Sequence, residues 1–385
     1  MTKFAYLSER LNELELRGRL RSLVPREVSG VELTEPHGQR LLNFGGNDYL
    51  GLAAQPNQIP SQSDADAALG GSGASALLSG WTTDHELLSK KIASLETTDS
   101  AVVYPSGYAA CSGTVAILAE DGDCILSDQL NHASLIDGSR LSGADCTVYP
   151  HRDWQVVERC LKESRHKYQR AWIISNAVFG MDGHIAPLEQ LVRIAERYDA
   201  FLIVDEAHGT GVLGDDGSGA CAALGVKGEV AVRIGTLSKA VGSQGGFVAG
   251  PTVLVDYLIN RSRSLIYSTS LSPPAVRAAM EGIDRIVDEP ERRARLQSMA
   301  RHVRDALSID AGSSLEASVP IIPLVVGRDD RAVELAGQLR KRGFYVPAIR
   351  PPTVAEGSAR LRISLSAAHD DEMIEALVDA IQAIT

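Results

Sequence analysis

The fold is decided by the stretch "AWIISNAVFGMDGHIAPLEQLVRIAERYDAFLIVDEAH", residues 171–208. It opens and closes with runs of consecutive apolar residues, AWII and FLIV, and the segment 187–198 between them has helical spacing. Strands that consist of continuous apolar runs are typical of a parallel sheet buried on both faces. Two parallel strands also need a crossover connection, which is most often a helix. The stretch therefore predicts one βαβ unit of an α/β fold.

The same alternation extends from about residue 84 to residue 270. Further strands are predicted at 101–105, 124–127 and 146–150, with helices at 85–96, 107–119, 132–141 and 153–167. We predict an α/β protein whose large domain carries a mostly parallel sheet. A long helical segment after residue 290, with strands near 321–326, 344–348 and 360–365, predicts a smaller C-terminal α/β domain. The predicted divisions are an N-terminal helix and arm (1–45), a large domain (46–285) and a small domain (286–385).

The two ends of this pattern are less regular. Residues 3–24 have apolar residues near helical spacing and predict an amphipathic helix. Residues 53–73 contain two prolines, several serines and a glycine cluster, which predict a loop.

Composition excludes several classes of protein. The chain has 385 residues and a net charge of −11, which argues against a nucleic-acid-binding protein and against electrostatic attachment to a membrane. No apolar run approaches the ~20 residues that a membrane-spanning helix needs. The charged N-terminus is not typical of a signal peptide. Five widely spaced cysteines without a CxxC pair favour buried structural thiols over a zinc site. We expect a cytoplasmic protein with no metal, nucleic-acid or membrane partner.

Polar side chains follow the predicted strands where each one ends, and ligands of open parallel sheets bind at that edge. They include Ser106 and Gly107 at a helix start, His132, and Asp205 with His208. The stretch 233–246, "RIGTLSKAVGSQGG", adds Thr236 and Lys239. Each residue alone fits a structural role, such as a helix cap or a solvated lysine.

Their joint occurrence favours pyridoxal phosphate chemistry. A lysine can form the Schiff base and a buried aspartate can pair with the pyridinium nitrogen. A helix N-terminus suits a phosphate.

The sequence resembles the α-oxoamine synthases, fold-type I pyridoxal phosphate enzymes with the aspartate aminotransferase-like fold. The likeness runs almost from end to end, through "NDYLGL", "MDGHIAPL", "VDEAHGTGVLG", "TLSKAVGSQGG", "IYSTSLSP", "AIRPPTV" and "RLRISLSAAH". It implies a homodimer with shared active sites and pyridoxal 5'-phosphate as cofactor. The N-terminal pattern and "AIRPPTV" favour the member that condenses L-alanine with pimeloyl-CoA or a pimeloyl-acyl carrier protein.

The resemblance also assigns roles by matching positions. Lys239 matches the residue that forms the Schiff base and carries the proton, and Asp205 matches the partner of the pyridinium nitrogen. His132 matches the ring stacked on the cofactor, and His208 matches the donor to its phenolic oxygen. The cofactor contacts further include Gly107, Tyr108 and Thr236, with Thr269 and Ser270 reaching the phosphate from the partner subunit. The substrate contacts are Arg21, Asn47, His132, Arg350 and Thr353, of which Arg350 and Asn47 hold the amino-acid carboxylate.

Three positions depart from the family pattern. Gly180 stands where relatives carry serine, so that we expect weaker retention of the cofactor and expect Gly180→Ser to restore it. Asn176 occupies an acidic or serine position, and Ala76 stands where many members have arginine.

Other activities remain open. A glycine acetyltransferase or a 5-aminolevulinate synthase shares the catalytic residues and differs in the acyl pocket. A serine palmitoyltransferase is disfavoured because no feature of the sequence indicates membrane association. A non-catalytic cofactor-binding protein is disfavoured because both Lys239 and Arg350 are present.

Overall fold

The computed structural model describes residues 3–55 and 69–385. Most of the loop predicted at 53–73 therefore lies outside the described residues. The chain folds into two compact units. The larger unit comprises Asp48–Gly180 and His184–Gln297, and the smaller comprises Met1–Asn47, Met181–Gly183 and Ser298–Thr385. The division into three domains predicted from the sequence stays a prediction.

The larger unit is built on a sheet of seven described strands in the order β4-β10-β9-β8-β7-β5-β6. The strands are β4 (Ser100–Tyr104), β5 (Cys124–Asp128), β6 (Asp145–Tyr149), β7 (Ala171–Asn176), β8 (Phe201–Asp205), β9 (Val232–Thr236) and β10 (Gly246–Gly250). Strands β6, β5, β7, β8 and β9 run parallel, and β10 runs antiparallel to both β9 and β4. The mostly parallel sheet predicted for the large domain is confirmed.

Helices connect these strands as the periodicity predicts. The larger unit contains the helices Thr83–Glu96, Gly107–Leu118, Ala133–Ser142, Trp154–Ser164, Leu188–Arg197, Ala220–Ala223, Thr252–Arg261, Arg263–Ile266 and Pro273–Asp288, with short π and 3-10 segments at Ala76–Gly80 and Arg165–Lys167. Several begin at a side-chain cap: the oxygen of Ser106 accepts from Ala109 N, and that of Asp153 accepts from Val156 N. Such caps satisfy backbone donors that the first turn leaves open.

The core of the larger unit consists of the inward faces of these strands and helices. Val102, Ile125, Ile174, Ile203 and Ile234 are nearly or fully buried. The edge strand β6 differs, because its first four residues are exposed. Cys146 on β6 is therefore exposed, and Cys160 is only partly buried, so the prediction of buried thiols is wrong at these two positions. Cys111, Cys124 and Cys221 are buried.

The smaller unit holds two more sheets within the described residues. One has the order β1-β2-β3-β12 and contains Glu27–Ser29, Glu32–Thr34, Arg40–Asn43 and Phe344–Tyr345; the other has the order β11-β14-β13 and contains Ile321–Gly327, Ala359–Ser364 and Ala348–Ile349. Its helices include Ala5–Leu16, Ser314–Ala317, Asp329–Lys341 and Asp371–Gln382, and the helix Pro290–Ala306 contains the boundary at residue 297. The N-terminal helix ends at Leu16, earlier than the predicted residue 24, because Gly18 follows with a positive φ of 63°.

Candidate active site

The connection between β9 and β10 carries Lys239. Gly242 and Gly245 in this connection have φ values of 75° and 115°, a backbone region that side chains with a Cβ rarely adopt. A Cβ at Gly242 would also lie 2.7 Å from Leu52 Cβ and 2.8 Å from Ala53 N. The glycines therefore permit the tight return that places the lysine at the carboxyl edge of the sheet.

Lys239 lies at one end of a short chain of polar contacts. Its Nζ is 3.0 Å from Nε2 of His208, and Nδ1 of His208 is 2.7 Å from the hydroxyl of Tyr49. Both contacts are satisfied when the lysine ammonium donates to Nε2 and the Nδ1–H donates to the tyrosine oxygen. Tyr49 is fully buried and His208 nearly so. This series of contacts restrains both the position of the lysine amine and the orientation of the imidazole.

Asp205 ends β8 and lies next to the end of β7. Its Oδ1 accepts from the backbone N–H of Ala207 at 2.9 Å, and its Oδ2 accepts from Nδ2 of Asn176 at 3.1 Å. The register of the sheet explains the second contact, because Asn176 and Asp205 are paired across β7 and β8. Asp205 is 3% exposed, so its carboxylate is held by these donors in a nearly water-free position.

His132 begins the helix Ala133–Ser142. Its backbone N–H donates to Oδ1 of Asn176 at 2.8 Å, and its Nδ1 is 2.7 Å from Oγ of Ser134. Burial lowers the pKa of His132, while Asp205 raises it and Lys239 lowers it. The imidazole is therefore favoured in its neutral form, as a ring that can stack on an aromatic ligand.

The helix Gly107–Leu118 points its N-terminus at the end of β9. A Cβ at Gly107 would lie 3.0 Å from Oγ1 and 3.1 Å from Cβ of Thr236, so a larger residue would press on this threonine. Thr236 Oγ1 lies 2.8 Å from Oγ of Ser238 and donates to the carbonyl of Gly245 at 2.9 Å. Backbone N–H groups of a first helical turn lack partners within the helix. These backbone donors at the helix N-terminus suit a phosphate.

Two further predicted cofactor contacts lie on the segment after the helix Arg263–Ile266. Thr269 is exposed and pairs with Ser75 in an isolated antiparallel bridge. The backbone N–H of Ser270 donates to the carbonyl of Ala74 at 3.0 Å, and its buried Oγ has no hydrogen-bond partner among the described residues.

The predicted substrate contacts other than His132 belong to the smaller unit. Arg350 Nη1 donates to the carbonyl of Gly18, and Arg21 Nη2 donates to Oγ1 of Thr353 at 3.0 Å. Asn47 Oδ1 accepts from Nη2 of Arg362 at 3.1 Å. Within this unit the structure thus brings Arg21, Thr353 and Arg350 together, and they line a cavity of about 190 Å³.

Sequence reasoning missed three residues at these sites. Tyr49 was part of the quoted motif "NDYLGL", but nothing local indicated that its hydroxyl reaches His208. Asn176 was noted only as a departure, although it contacts both Asp205 and His132. Arg362 lies within "RLRISLSAAH", and its contact with Asn47 joins residues 315 positions apart. The position of Asn176 after an apolar strand was the one signal available.

Comparison with known proteins defines the class. Residues 39–381 match the model of the aminotransferase class I and II family. The chain is 42% identical over 384 residues to 8-amino-7-oxononanoate synthase 2 of Bacillus subtilis, covering 99% of this chain and 97% of that protein. It is 40% identical over 375 residues to 8-amino-7-oxononanoate synthase of Lysinibacillus sphaericus, covering 97% and 96%.

Solved structures show the same fold. A serine palmitoyltransferase from S. paucimobilis described with bound PLP has a TM-score of 0.90 at 27% identity, covering 99% of this chain and 97% of that one. The 8-amino-7-oxononanoate synthase from Francisella tularensis has a TM-score of 0.72 at 27% identity, covering 89% and 97%. The chain belongs to the aminotransferase class I and II family. The resemblance to the α-oxoamine synthases, predicted from the motifs, is confirmed.

Two observations bear on the expected absence of other ligands and of membrane spans. Across residues 3–55 and 69–385, no helix is both long and apolar enough to cross a membrane. In the same part of the chain, no group of three or more His, Cys, Asp or Glu side chains is arranged to hold a metal ion.

Proposed function

We propose that the chain is a pyridoxal phosphate-dependent acyltransferase that condenses L-alanine with a pimeloyl thioester. The products are 8-amino-7-oxononanoate, carbon dioxide and the free thiol, as one step of biotin biosynthesis. The observation that carries the proposal is full-length identity of about 40% to proteins named 8-amino-7-oxononanoate synthase. The thioester carrier is coenzyme A or acyl carrier protein, and we place the enzyme in the cytoplasm with these substrates.

The residues of the larger unit fit the cofactor. Gly107 leaves the helix N-terminus in direct contact with Thr236, a cradle that a Cβ would fill. Buried Asp205 offers an acceptor to a pyridinium N–H, and Lys239 offers the amine. When bound, pyridoxal phosphate supplies an electron sink for the carbanion formed at the amino-acid Cα.

Each side chain then has a definite task. Lys239 Nζ holds the cofactor before the amino acid arrives and afterwards takes the Cα proton. His208 Nε2 lies 3.0 Å from this nitrogen and orients it, while Tyr49 fixes the imidazole from the other side. A neutral His132 would pack on the face of the cofactor ring when the cofactor is bound. Gly107, Tyr108 and Thr236 bind the phosphate and the ring edge.

Residues of the smaller unit bind the substrate carboxylate. Arg350 presents a guanidinium, which binds a planar carboxylate through two parallel hydrogen bonds. Asn47, oriented by Arg362, provides a second polar contact. Arg21 and Thr353, hydrogen-bonded to each other, contact the acyl substrate.

A homodimer is part of the proposal. Leu77, Leu78 and Tyr267 are 52%, 82% and 71% exposed, and they flank the bridge between Ser75 and Thr269. Apolar side chains exposed together are typical of a protein interface. A second copy covering them would bring its own Thr269 and Ser270 to the phosphate of the neighbouring site.

One substrate panel tests the proposal. The purified protein is supplied with cofactor and given alanine, glycine or serine against pimeloyl, acetyl, succinyl and palmitoyl thioesters, while thiol release is measured. We expect release with alanine and a pimeloyl thioester and little with the other pairs. Preference for glycine with an acetyl or succinyl thioester would favour the two related activities. No release with any pair, from protein that binds the cofactor, would favour a non-catalytic role.

A further inference from the structure

Asn176 connects two residues that the proposed function assigns to different parts of the cofactor. Its Nδ2 donates to Oδ2 of Asp205 at 3.1 Å, and its Oδ1 accepts from the backbone N–H of His132 at 2.8 Å. In the proposed function Asp205 would contact the ring nitrogen and His132 the ring face. Asn176 itself is only 4% exposed.

The orientation of the Asn176 amide follows from its partners. The N–H of His132 can only donate, so the atom that faces it must be the amide oxygen. The amide nitrogen must then face Asp205. Asn131 holds the same strand end: its Oδ1 accepts from the backbone N–H of Asn176 at 2.9 Å, and its Nδ2 donates to the carbonyl of Ile174 at 2.8 Å.

The donors that contact Asp205 are uncharged. They are the Asn176 amide, the backbone N–H of Ala207 and the Cys111 thiol. They fix the plane of the carboxylate without neutralising its charge, which leaves the charge for the pyridinium. We propose that Asn176 is a positioning residue, which orients the Asp205 carboxylate and the His132 backbone together for the cofactor ring.

A carboxyl group at position 176, which the family pattern allows, would serve only one neighbour. It could accept from the His132 N–H as the amide does. Ionised, it would present a second negative oxygen to Asp205, and two adjacent carboxylates do not readily both ionise. The uncharged amide donates to one neighbour and accepts from the other.

A double-mutant cycle tests this proposal, which rests on the proposed function through Asp205. Apoproteins of the wild type, Asn176→Ala, Asp205→Asn and the double variant are titrated with pyridoxal phosphate, and the dissociation constants are measured. A hydrogen bond to a charged group corresponds to a loss of about tenfold or more in affinity. We expect Asn176→Ala to cost this much in the wild type and clearly less in the Asp205→Asn background, where the charged acceptor is absent and the contact with the His132 backbone is what remains to be lost. Asn260→Ala, on the exposed face of the helix Thr252–Arg261, is the control and should bind as the wild type does.

The outcomes separate the two claims. Equal losses in both backgrounds, or no loss in the wild type, would overturn the positioning of Asp205 by Asn176 and leave the proposed function intact. If Asp205→Asn binds the cofactor normally, the role of Asp205 in the proposed function fails, and the inference fails with it.

Asn176→Asp is a second, nearly isosteric variant, which serves if Asn176→Ala does not fold. Its affinity relative to the wild type should fall as the pH is raised, because two adjacent carboxyl groups can share a proton at low pH and repel each other once both are ionised. A ratio independent of pH would contradict the proposal.

Discussion

Lys239 Nζ and His208 Nε2 lie 3.0 Å apart, at hydrogen-bonding distance. The sequence assigned these two residues to different atoms of the cofactor, and the structure joins them directly. The contact restrains a long, flexible side chain whose amine must act at one place. The position of the lysine amine therefore also depends on the groups that orient the histidine ring.

Tyr49→Phe tests that dependence. Loss of the hydroxyl removes the 2.7 Å contact with His208 Nδ1, so the imidazole loses one of the contacts that orient it. One net hydrogen bond corresponds to about 0.5–1.5 kcal/mol, and we expect turnover to fall by up to about tenfold. Steady-state kinetics check this, with Tyr257→Phe on an exposed side chain as the control. Unchanged turnover in Tyr49→Phe would show that His208 needs no support from the tyrosine.

Gly180→Ser is expected to weaken the site, which reverses the expectation drawn from the sequence. The backbone at Gly180 does not have a positive φ. However, a Cβ there would lie 2.4 Å from Nε2 and 2.8 Å from Cε1 of His208, so the imidazole must shift, which disturbs its contact with Lys239. We expect faster loss of the cofactor on dialysis, with Gly180→Ala showing the same effect. Tighter retention in Gly180→Ser would support the original expectation that a serine hydroxyl binds the cofactor.

Arg350→Lys tests the carboxylate contact. An ammonium is a point donor and cannot form the two parallel hydrogen bonds of a guanidinium. We expect the KM for alanine to rise about tenfold or more, and the KM for the thioester to change less. Arg328→Lys changes an exposed arginine that pairs with Asp330 and serves as the control. If the KM for alanine is the same in Arg350→Lys, another residue binds the carboxylate.

The burial of His369 in the smaller unit leads us to expect that stability depends on pH. The ring stacks on Phe44 at 4.1 Å between centroids, and its Nδ1 accepts from the backbone N–H of Ser366 at 3.0 Å. Burial lowers the pKa of His369 to about 4, although its contacts with Asn43 and Ser366 raise it.

The sign follows from the unfolded chain, in which histidine titrates near ~6.5. Between that pH and about 4, this histidine binds a proton in the unfolded state and stays neutral in the folded state. The free energy of unfolding therefore falls as the pH is lowered from about 6.5 to about 4, by up to about 3 kcal/mol. Denaturant unfolding of the wild type and His369→Asn across this range measures the effect. If the free energy of unfolding changes with pH equally in the two proteins, His369 is not the cause of the pH dependence.

The sequence predicted the larger unit well because its signals are local. The apolar runs of β5, β7 and β8 and the helices between them are present within a few residues of the predicted bounds. The strand β6 was predicted, but its exposed position at the edge of the sheet was not, because strand order is a property of the whole sheet. Ser106 at a helix start and Asp205 at a strand end were also predictable from their neighbours in the chain.

Contacts between distant segments were not predictable in the same way. The bond between Tyr49 and His208 joins residues 159 positions apart, and that between Asn176 and Asp205 depends on the register of β7 and β8. The steric constraint at Gly180 arises from a histidine on another segment. Motifs named the residues, and only the fold showed which of them act on one another.

Covalent trapping shows whether Lys239 is the residue that holds the cofactor. The protein is loaded with pyridoxal phosphate, reduced with borohydride, digested and mapped by mass spectrometry. We expect the pyridoxyl label on Lys239, and no label at that peptide in Lys239→Ala, while Lys90→Ala, on an exposed helix face, is labelled as the wild type is. A label on another lysine, or no label on protein that binds the cofactor, would contradict the role of Lys239.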